Sequence, residues 1–307
     1  MVTLNNMHIP VLLREVIEYV NPQPGWKFID ATIDGGGHAM AIMERIIPGG
    51  KLLGIEWDSE LLNQLKFKIQ GSRFKDDVIL VNDSYANLKE IAEKHGFSEI
   101  DGIFFDLGMS RWHLEEAGRG FSFLKDEPLD MRYSHQEFSK KTAVEIVNKS
   151  PYNELVRILR EYGEEKFAKS IASAIVEARK LSPIKSTFQL VEIIKNSVPF
   201  WYRRRRIHFA TKTFQALRIA VNGELENLKT GLQQAEELLK NTGRIAVISF
   251  HSLEDRIVKN FFKESSKEKR LNIITKKPIR AGLAEISANP GARSAKLRVA
   301  EKTAFNF

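Results

Sequence analysis

The chain has 307 residues, 43% hydrophobic and 28% charged, with 47 Lys and Arg against 39 Asp and Glu for a formal charge of +8. That mixture is typical of a globular protein with one large or two modest domains; the longest strand-like apolar run, 245–250, has six residues, far short of the roughly 18 a membrane helix needs. Cysteine is absent, which excludes disulfides, thiolate metal sites and a thiol nucleophile, and with no basic-then-apolar leader at the N-terminus a cytoplasmic protein is expected.

The first hundred residues alternate strand and helix. Residues 26–33 predict a strand ending in Asp34-Gly-Gly-Gly-His38, with a helix to Ile47. Residues 51–57 predict a second strand, followed by a helix to Ile69 with Ser59 as its N-cap. Residues 78–81 and 103–107 predict the third and fourth strands, with a helix over 85–94 between them. Strands spaced by helices in this way imply βαβ units and a parallel sheet covered on both faces. From Leu107 to Gly243 only helical periodicity is found, as in Leu155, Ile158, Leu159 and Tyr162, then Phe167, Ile171 and Ile175, then Leu190, Ile193 and Ile194. Residues 243–250 restore a buried strand, with a helix over 253–264 and two further strands at 271–275 and 296–300. The economical architecture is a discontinuous α/β sheet domain, 1–108 and 210–307, interrupted by a helical insertion at 109–209.

A glycine-rich turn at the carboxyl end of a first strand signals a nucleotide site. Here Met40 stands where a dinucleotide fingerprint has its third glycine, and no Gly-Lys-Ser/Thr of a P-loop follows. Asp30 and Asp34 would repel a pyrophosphate, but suit the sulfonium and ammonium of S-adenosylmethionine. Glu56, 19 residues past Gly37 at the end of the second strand, is placed to accept two ribose hydroxyls. Asp106, which ends the fourth strand, reads as a ligand residue or as a helix cap. His251 and Asp255 are either site residues at the end of the fifth strand or the start of a helix capped by Ser252 with Asp255 three positions on.

Charge is unevenly spread. Residues 1–100 carry 10 basic and 14 acidic side chains, whereas 201–307 carry 22 and 10. A localised basic surface usually faces a polyanion, most often nucleic acid. Within it, Arg203, Arg204, Arg205, Arg206, Lys212 and Arg218 occupy twenty residues without an acidic one, beside Trp201, Tyr202 and Phe209. Arginines neutralise phosphates while aromatic faces stack on splayed bases.

Nine strings carry a resemblance over nearly the whole chain: His8-Ile-Pro-Val-Leu-Leu13, Asp34-Gly-Gly-Gly-His38, Phe105-Asp-Leu-Gly-Met-Ser110, Arg119-Gly-Phe-Ser-Phe123, Pro128-Leu-Asp-Met-Arg132, Tyr162-Gly-Glu-Glu-Lys-Phe-Ala168, Thr213-Phe-Gln-Ala-Leu-Arg-Ile219, Ser249-Phe-His-Ser-Leu-Glu-Asp-Arg-Ile-Val258 and Asn289-Pro-Gly-Ala-Arg-Ser294. In these the chain resembles the bacterial small-subunit ribosomal RNA cytosine-N4 methyltransferases (RsmH or MraW). The resemblance implies a class I, Rossmann-like methyltransferase sheet with a helical insertion between the fourth and fifth strands. It also implies S-adenosylmethionine as donor and a cytidine of the decoding region of 16S ribosomal RNA, within the small subunit, as acceptor; no metal and no membrane partner are expected. Cofactor contacts carried over by motif are Gly36, Gly37, His38, Glu56, Tyr85, Asp106 and His113. Glu56, Tyr85 and His113 stand where the family more usually has Asp, Phe and Gln, and Gly291 replaces an arginine. Methylation at C5 of cytosine ordinarily uses a thiol, which this chain lacks, whereas N4 can be methylated directly once it is held in line. Asp106 and His251 are the candidates to hold that amine or accept its proton.

Overall fold

The computed structural model describes residues 10–134 and 141–304, and separates them into two compact units. The first comprises Met1–Gly108 and Leu225–Phe307, the second Met109–Glu224. The first two residues of the string at 8–13 lie outside the described residues.

The first unit is built from α1 (Leu13–Val20), β1 (Lys27–Asp30), α2 (Gly37–Ile46), β2 (Lys51–Glu56), α3 (Ser59–Gln70), β3 (Val78–Asn82), α4 (Leu88–Lys94) and β4 (Ile100–Asp106). After the second unit it continues through α12 (Glu224–Leu238), β5 (Leu239–Ser249), α13 (Ser252–Lys267), β6 (Leu271–Ile273), α14 (Leu283–Ala288) and β7 (Lys296–Lys302). The strands form one seven-stranded sheet in the order β3-β2-β1-β4-β5-β7-β6. Strands β1 to β5 pair in parallel, and β7 inserts antiparallel between β5 and β6.

Both faces of this sheet are covered because consecutive strand residues are apolar. Phe28, Leu52 and Phe104 pack on one face with α1 and α2, while Ile29, Leu53, Ile103 and Phe105 pack on the other with α4, α12 and α13. The register brings Asp30 level with Gly54 on one side and Phe104 on the other. Strand order reverses between β1 and β4, which opens a crevice at their carboxyl ends, where open α/β sheets bind ligands.

Three local expectations are corrected. Helix α3 is capped by Asp58, whose side chain accepts from the amides of Glu60 (2.9 Å) and Leu61 (3.3 Å), so Ser59 is already helical. Tyr85 opens a 3-10 turn capped by Ser84, not the α-helix itself. The second unit ends at Glu224, fifteen residues past the expected 209.

That unit contains α5 (Arg111–Glu115), α6 (Ala143–Lys149), α7 (Tyr152–Glu161), α8 (Ala168–Leu181), α9 (Thr187–Ser197), α10 (Phe200–Arg203) and α11 (Thr211–Asn222). Leu155, Ile158, Leu159, Ile171, Ile175, Leu190 and Ile194 are buried, as their helical spacing requires. Helix α11 belongs here because its buried Asn222 bonds to Met131 O and Tyr133 N, and its Arg218 forms a buried ion pair with Glu224 at 2.8 Å.

Candidate active site

Asp30 ends β1, and its Oδ1 accepts from the amide of Thr32, turning the chain out of the sheet. The Thr32 hydroxyl in turn accepts from the amide of Asp106 at 2.6 Å and so ties the end of β4 to this turn. Asp34 follows with φ +46°, in the left-handed region where Asp and Asn are the commonest non-glycine residues. Its amide donates to Glu56 Oε2 (3.0 Å), and the Asp58 amide donates to Glu56 Oε1 (2.8 Å). Glu56 is thereby locked at the end of β2, and each oxygen keeps a further lone pair for a hydroxyl.

The three glycines have different reasons. Gly36, the N-cap of α2, has φ +79°, and a Cβ there would approach Leu65 Cδ1 to 2.6 Å. A Cβ on Gly37 would run into the ring of Pro10. Its missing side chain makes room for the N-terminal segment. Gly35 alone faces open space, with no atom within 4 Å of a Cβ built on it. The first glycine of the run, absent from the motif-based contacts, is therefore the one of the three whose side-chain direction is open.

His38 is buried at the start of α2. Its Nε2 lies 2.9 Å from Val11 O, its Nδ1 lies 3.6 Å from Asp106 Oδ2, and its ring packs on Phe104 with centroids 4.6 Å apart. Asp106 Oδ1 is buried and accepts no hydrogen bond among the described residues. Tyr85 is half-buried, edge-on to Phe105 at 5.6 Å, with Gly231 of α12 passing close enough that a Cβ would meet Tyr85 Cδ2 at 2.8 Å.

The end of the sheet is crowded with buried acids. Burial pushes Asp30 up to about 7, against the Thr32 amide that favours its ionised form. Burial likewise pushes Glu56 up to about 8, opposed by the amides of Asp58 and Asp34. Asp34 is held well above the usual carboxylate range by burial and then by Glu56, Asp106 and Asp30. Asp106 is raised by burial and then by Asp30 and Glu254. Such a cluster lowers its own charge by keeping protons, or by taking a cationic ligand.

The remaining predicted residues have partners of their own. The His251 ring is the N-cap of α13: Nδ1 accepts from the Glu254 amide (3.4 Å) while Glu254 Oε2 accepts from the amides of Phe250 (2.9 Å) and His251 (3.2 Å). Ser252 is already helical, and Asp255 instead pairs with Lys296 at 2.9 Å and Arg298 at 2.7 Å. In the second unit, His113 is buried, its Nδ1 accepting from the Ser110 amide at 3.1 Å and its ring packed on Phe121 and Tyr133. Arg203 donates to Val198 O, closing the end of α9, and Lys212 donates to Glu164 O. Arg204, Arg205 and Arg206 are exposed, Arg204 lying over Phe200 at 4.4 Å and Arg205 over Tyr202 at 5.5 Å. Sequence reasoning missed Gly35, Thr32, Pro10 and Val11. The glycine run pointed to the first, but Val11 acts through a main-chain carbonyl, and no local pattern shows what the Thr32 hydroxyl or the Pro10 ring will meet.

A parallel sheet with one antiparallel strand inserted next to its edge, and an acid-lined glycine loop at the switch point, defines a class I methyltransferase. The donor set fits S-adenosylmethionine, whose two cationic centres would relieve the buried acids. The family profile of the MraW methylases matches residues 5–303, and the chain belongs to that family. It is 47% identical to the ribosomal RNA small subunit methyltransferase H of Persephonella marina over 295 residues, covering 96% of this chain and 99% of that protein. Proteins of the same name from Pelobacter propionicus and Heliobacterium mobile are each 44% identical over 311 residues, covering 96% of this chain and 98% of theirs. Among the described residues no helix is long and apolar enough to cross a membrane.

Proposed function

We propose that the protein methylates small-subunit (16S) ribosomal RNA, transferring the methyl group of S-adenosylmethionine to the N4 amine of a cytidine in the decoding region. Membership of the methylase family and the names of its relatives support the RNA class. The observation that favours an amine acceptor is Asp106: a buried carboxylate at the end of β4 with one oxygen that accepts no hydrogen bond among the described residues. The amine's lone pair is delocalised into the ring, so the site must orient it and take a proton from it. A thiol adding to C6, the usual route to C5, is absent.

S-adenosylmethionine, when bound, supplies an electrophilic methyl group on a cationic sulfur. Gly35, Gly37 and His38 would offer backbone amides at the N-terminus of α2, held in place by Gly36, whose own amide donates to Ile33 O; Glu56 would accept from the ribose hydroxyls and Tyr85 would flank the adenine. His113 is a further cofactor contact that the resemblance implies. Asp106 accepts hydrogen bonds from the N4 amine and then its proton. The capping box favours a positioning role for His251, which holds the start of α13. The second unit binds RNA through Arg204, Arg205 and Arg206, with Arg203 and Lys212 shaping that surface. The reaction belongs in the cytoplasm, where small subunits mature.

The test is incubation of the protein with labelled S-adenosylmethionine and undermethylated small subunits, followed by nucleoside analysis. N4-methylcytidine should appear in 16S RNA, no 5-methylcytidine should form, and 5-fluorocytidine should trap no adduct. Label in another nucleoside, or in DNA alone, would overturn the assignment.

A further inference from the structure

The hydrogen-bond roles at His38 lead to a more specific conclusion. Val11 O, 2.9 Å from His38 Nε2, can only accept, so Nε2 carries a hydrogen. In a neutral ring Nδ1 would then be unprotonated, its lone pair facing the carboxylate of Asp106 at 3.6 Å with both side chains almost out of solvent (7% and 11% exposed). Two electron-rich groups that close, in a poorly solvated place, repel each other. A proton between them turns that repulsion into attraction, and imidazole is the more basic of the two groups in water.

The surroundings favour the cation. Asp30 from β1 and Glu254 from α13, both acids, raise Asp106, and Asp106 in turn raises Asp34 on the β1–α2 loop, so the acids around the ring draw a proton to it. The imidazole ring also lies 4.6 Å from the Phe104 ring, tilted by 53° to it, within the range at which an aromatic quadrupole stabilises a positive ring. The ring has no freedom to turn away, because Val11 O holds one end of it.

We propose that His38 is a positioning residue, held as an imidazolium whose Nδ1–H faces Asp106 and keeps that carboxylate ionised as the acceptor of the amine's proton. It rests on Asp106 having the role proposed above. The N4 lone pair forms the bond to the methyl carbon, the sulfur keeps the pair of the bond that breaks, and one N4 proton passes to Asp106 Oδ1. His38 keeps its own proton throughout, and Asp106 returns the transferred proton to solvent as product leaves. His38 supplies charge without touching the substrate.

The test has two parts, the first independent of activity. In protein labelled with nitrogen-15 in histidine, the His38 ring, assigned by its loss in His38→Gln, should show two protonated nitrogens at pH 7.5 and revert to a neutral pattern in Asp106→Asn. A neutral ring in the unsubstituted protein would overturn the proposal. In the second part, kcat is followed against pH at saturating cofactor. The unsubstituted enzyme should give a bell, its acidic limb set by Asp106 and its basic limb by His38. Glutamine at 38 can still donate to Val11 O but cannot carry the charge. His38→Gln should therefore lose the basic limb and move the acidic limb up by about one pH unit or more, with S-adenosylmethionine affinity changed less than about threefold. Unchanged limbs, or a rate loss wholly matched by lost affinity, would leave His38 a structural residue. If instead Asp106→Asn keeps full kcat while the ring signals behave as expected, the role of Asp106 as acceptor fails and the charge pair stands.

Discussion

Adjacent glycines in one short run do different work, and substitution should separate them. Gly35 faces open space and its φ is not in the left-handed region, so Gly35→Val should leave the fold intact while filling the approach to the loop. Its melting temperature should stay within a few degrees of the parent, and cofactor affinity in calorimetry should drop at least tenfold. Gly37→Val is a different case, since its side chain meets Pro10. Overpacking there should cost about 1 to 3 kcal/mol and loosen the 10–12 segment from α2. Equal stability in the two variants would show that Pro10 yields freely. The sequence marks all three glycines alike; only the neighbours that tertiary structure brings up tell them apart.

At the level of elements, two helix starts show where local signals stop. Asp58 and Ser59 are both good N-caps, and the extended backbone of Asp58 (ψ 112°) decides which one is used. At α13 the sequence favours Ser252, yet the last turn out of β5 leaves His251 extended (ψ 168°) and within reach of the Glu254 amide. Helix α10 illustrates the same point with charge. Four consecutive arginines look equivalent in sequence, but Arg203 donates to Val198 O at the end of α9 while Arg204, Arg205 and Arg206 face solvent. Arg203→Gln should therefore act on stability, by about 1 to 2 kcal/mol for removal of a charged hydrogen bond. Replacing Arg204, Arg205 and Arg206 together with Gln should leave stability unchanged and weaken RNA binding. In filter binding the log–log salt slope should fall by roughly 0.7 to 0.9 for each phosphate that is no longer neutralised, up to about 2 to 3 in all. A slope identical to the parent's would show that these arginines only solvate the turn.

For the whole molecule the buried acids predict an unusual response to pH. An unfolded chain releases carboxyl protons near 4, whereas the folded chain keeps that of Asp30 to about 7 and that of Glu56 to about 8. Between these limits the native state binds more protons than the unfolded state, so stability falls as pH rises, by about 1.4 kcal/mol per pH unit for each extra proton held. Below about 4 both states are protonated, so the stability these protons contribute is fully present there and no longer varies with pH. The melting temperature of ligand-free protein should accordingly rise as pH is lowered from 8 to 6. Glu56→Gln should flatten that trend, because an amide has no proton to lose. S-adenosylmethionine should stabilise the protein more at pH 8 than at pH 6, since its cationic centres favour the ionised cluster. A melting temperature that is flat or rising with pH in that range would contradict the buried cluster.

The sequence by itself determined the order of the seven strands and of α2, α3, α4 and α13, the acid-lined glycine loop and Glu56 at the end of β2. These depend on local apolar runs and on residues beside them in the chain. Strands β1, β2 and β4 were legible because their consecutive residues are buried on both faces and each run is too short for a helix. Tertiary structure alone decided that β7 lies between β5 and β6, that α11 belongs to the second unit, and that Asp106 is tied to Thr32 and faced by His38. Asp106 and Thr32 are 74 residues apart, and Val11 acts through a carbonyl that every residue possesses. Contacts of that kind depend on where the sheet brings distant backbone together, which no local pattern of side chains encodes.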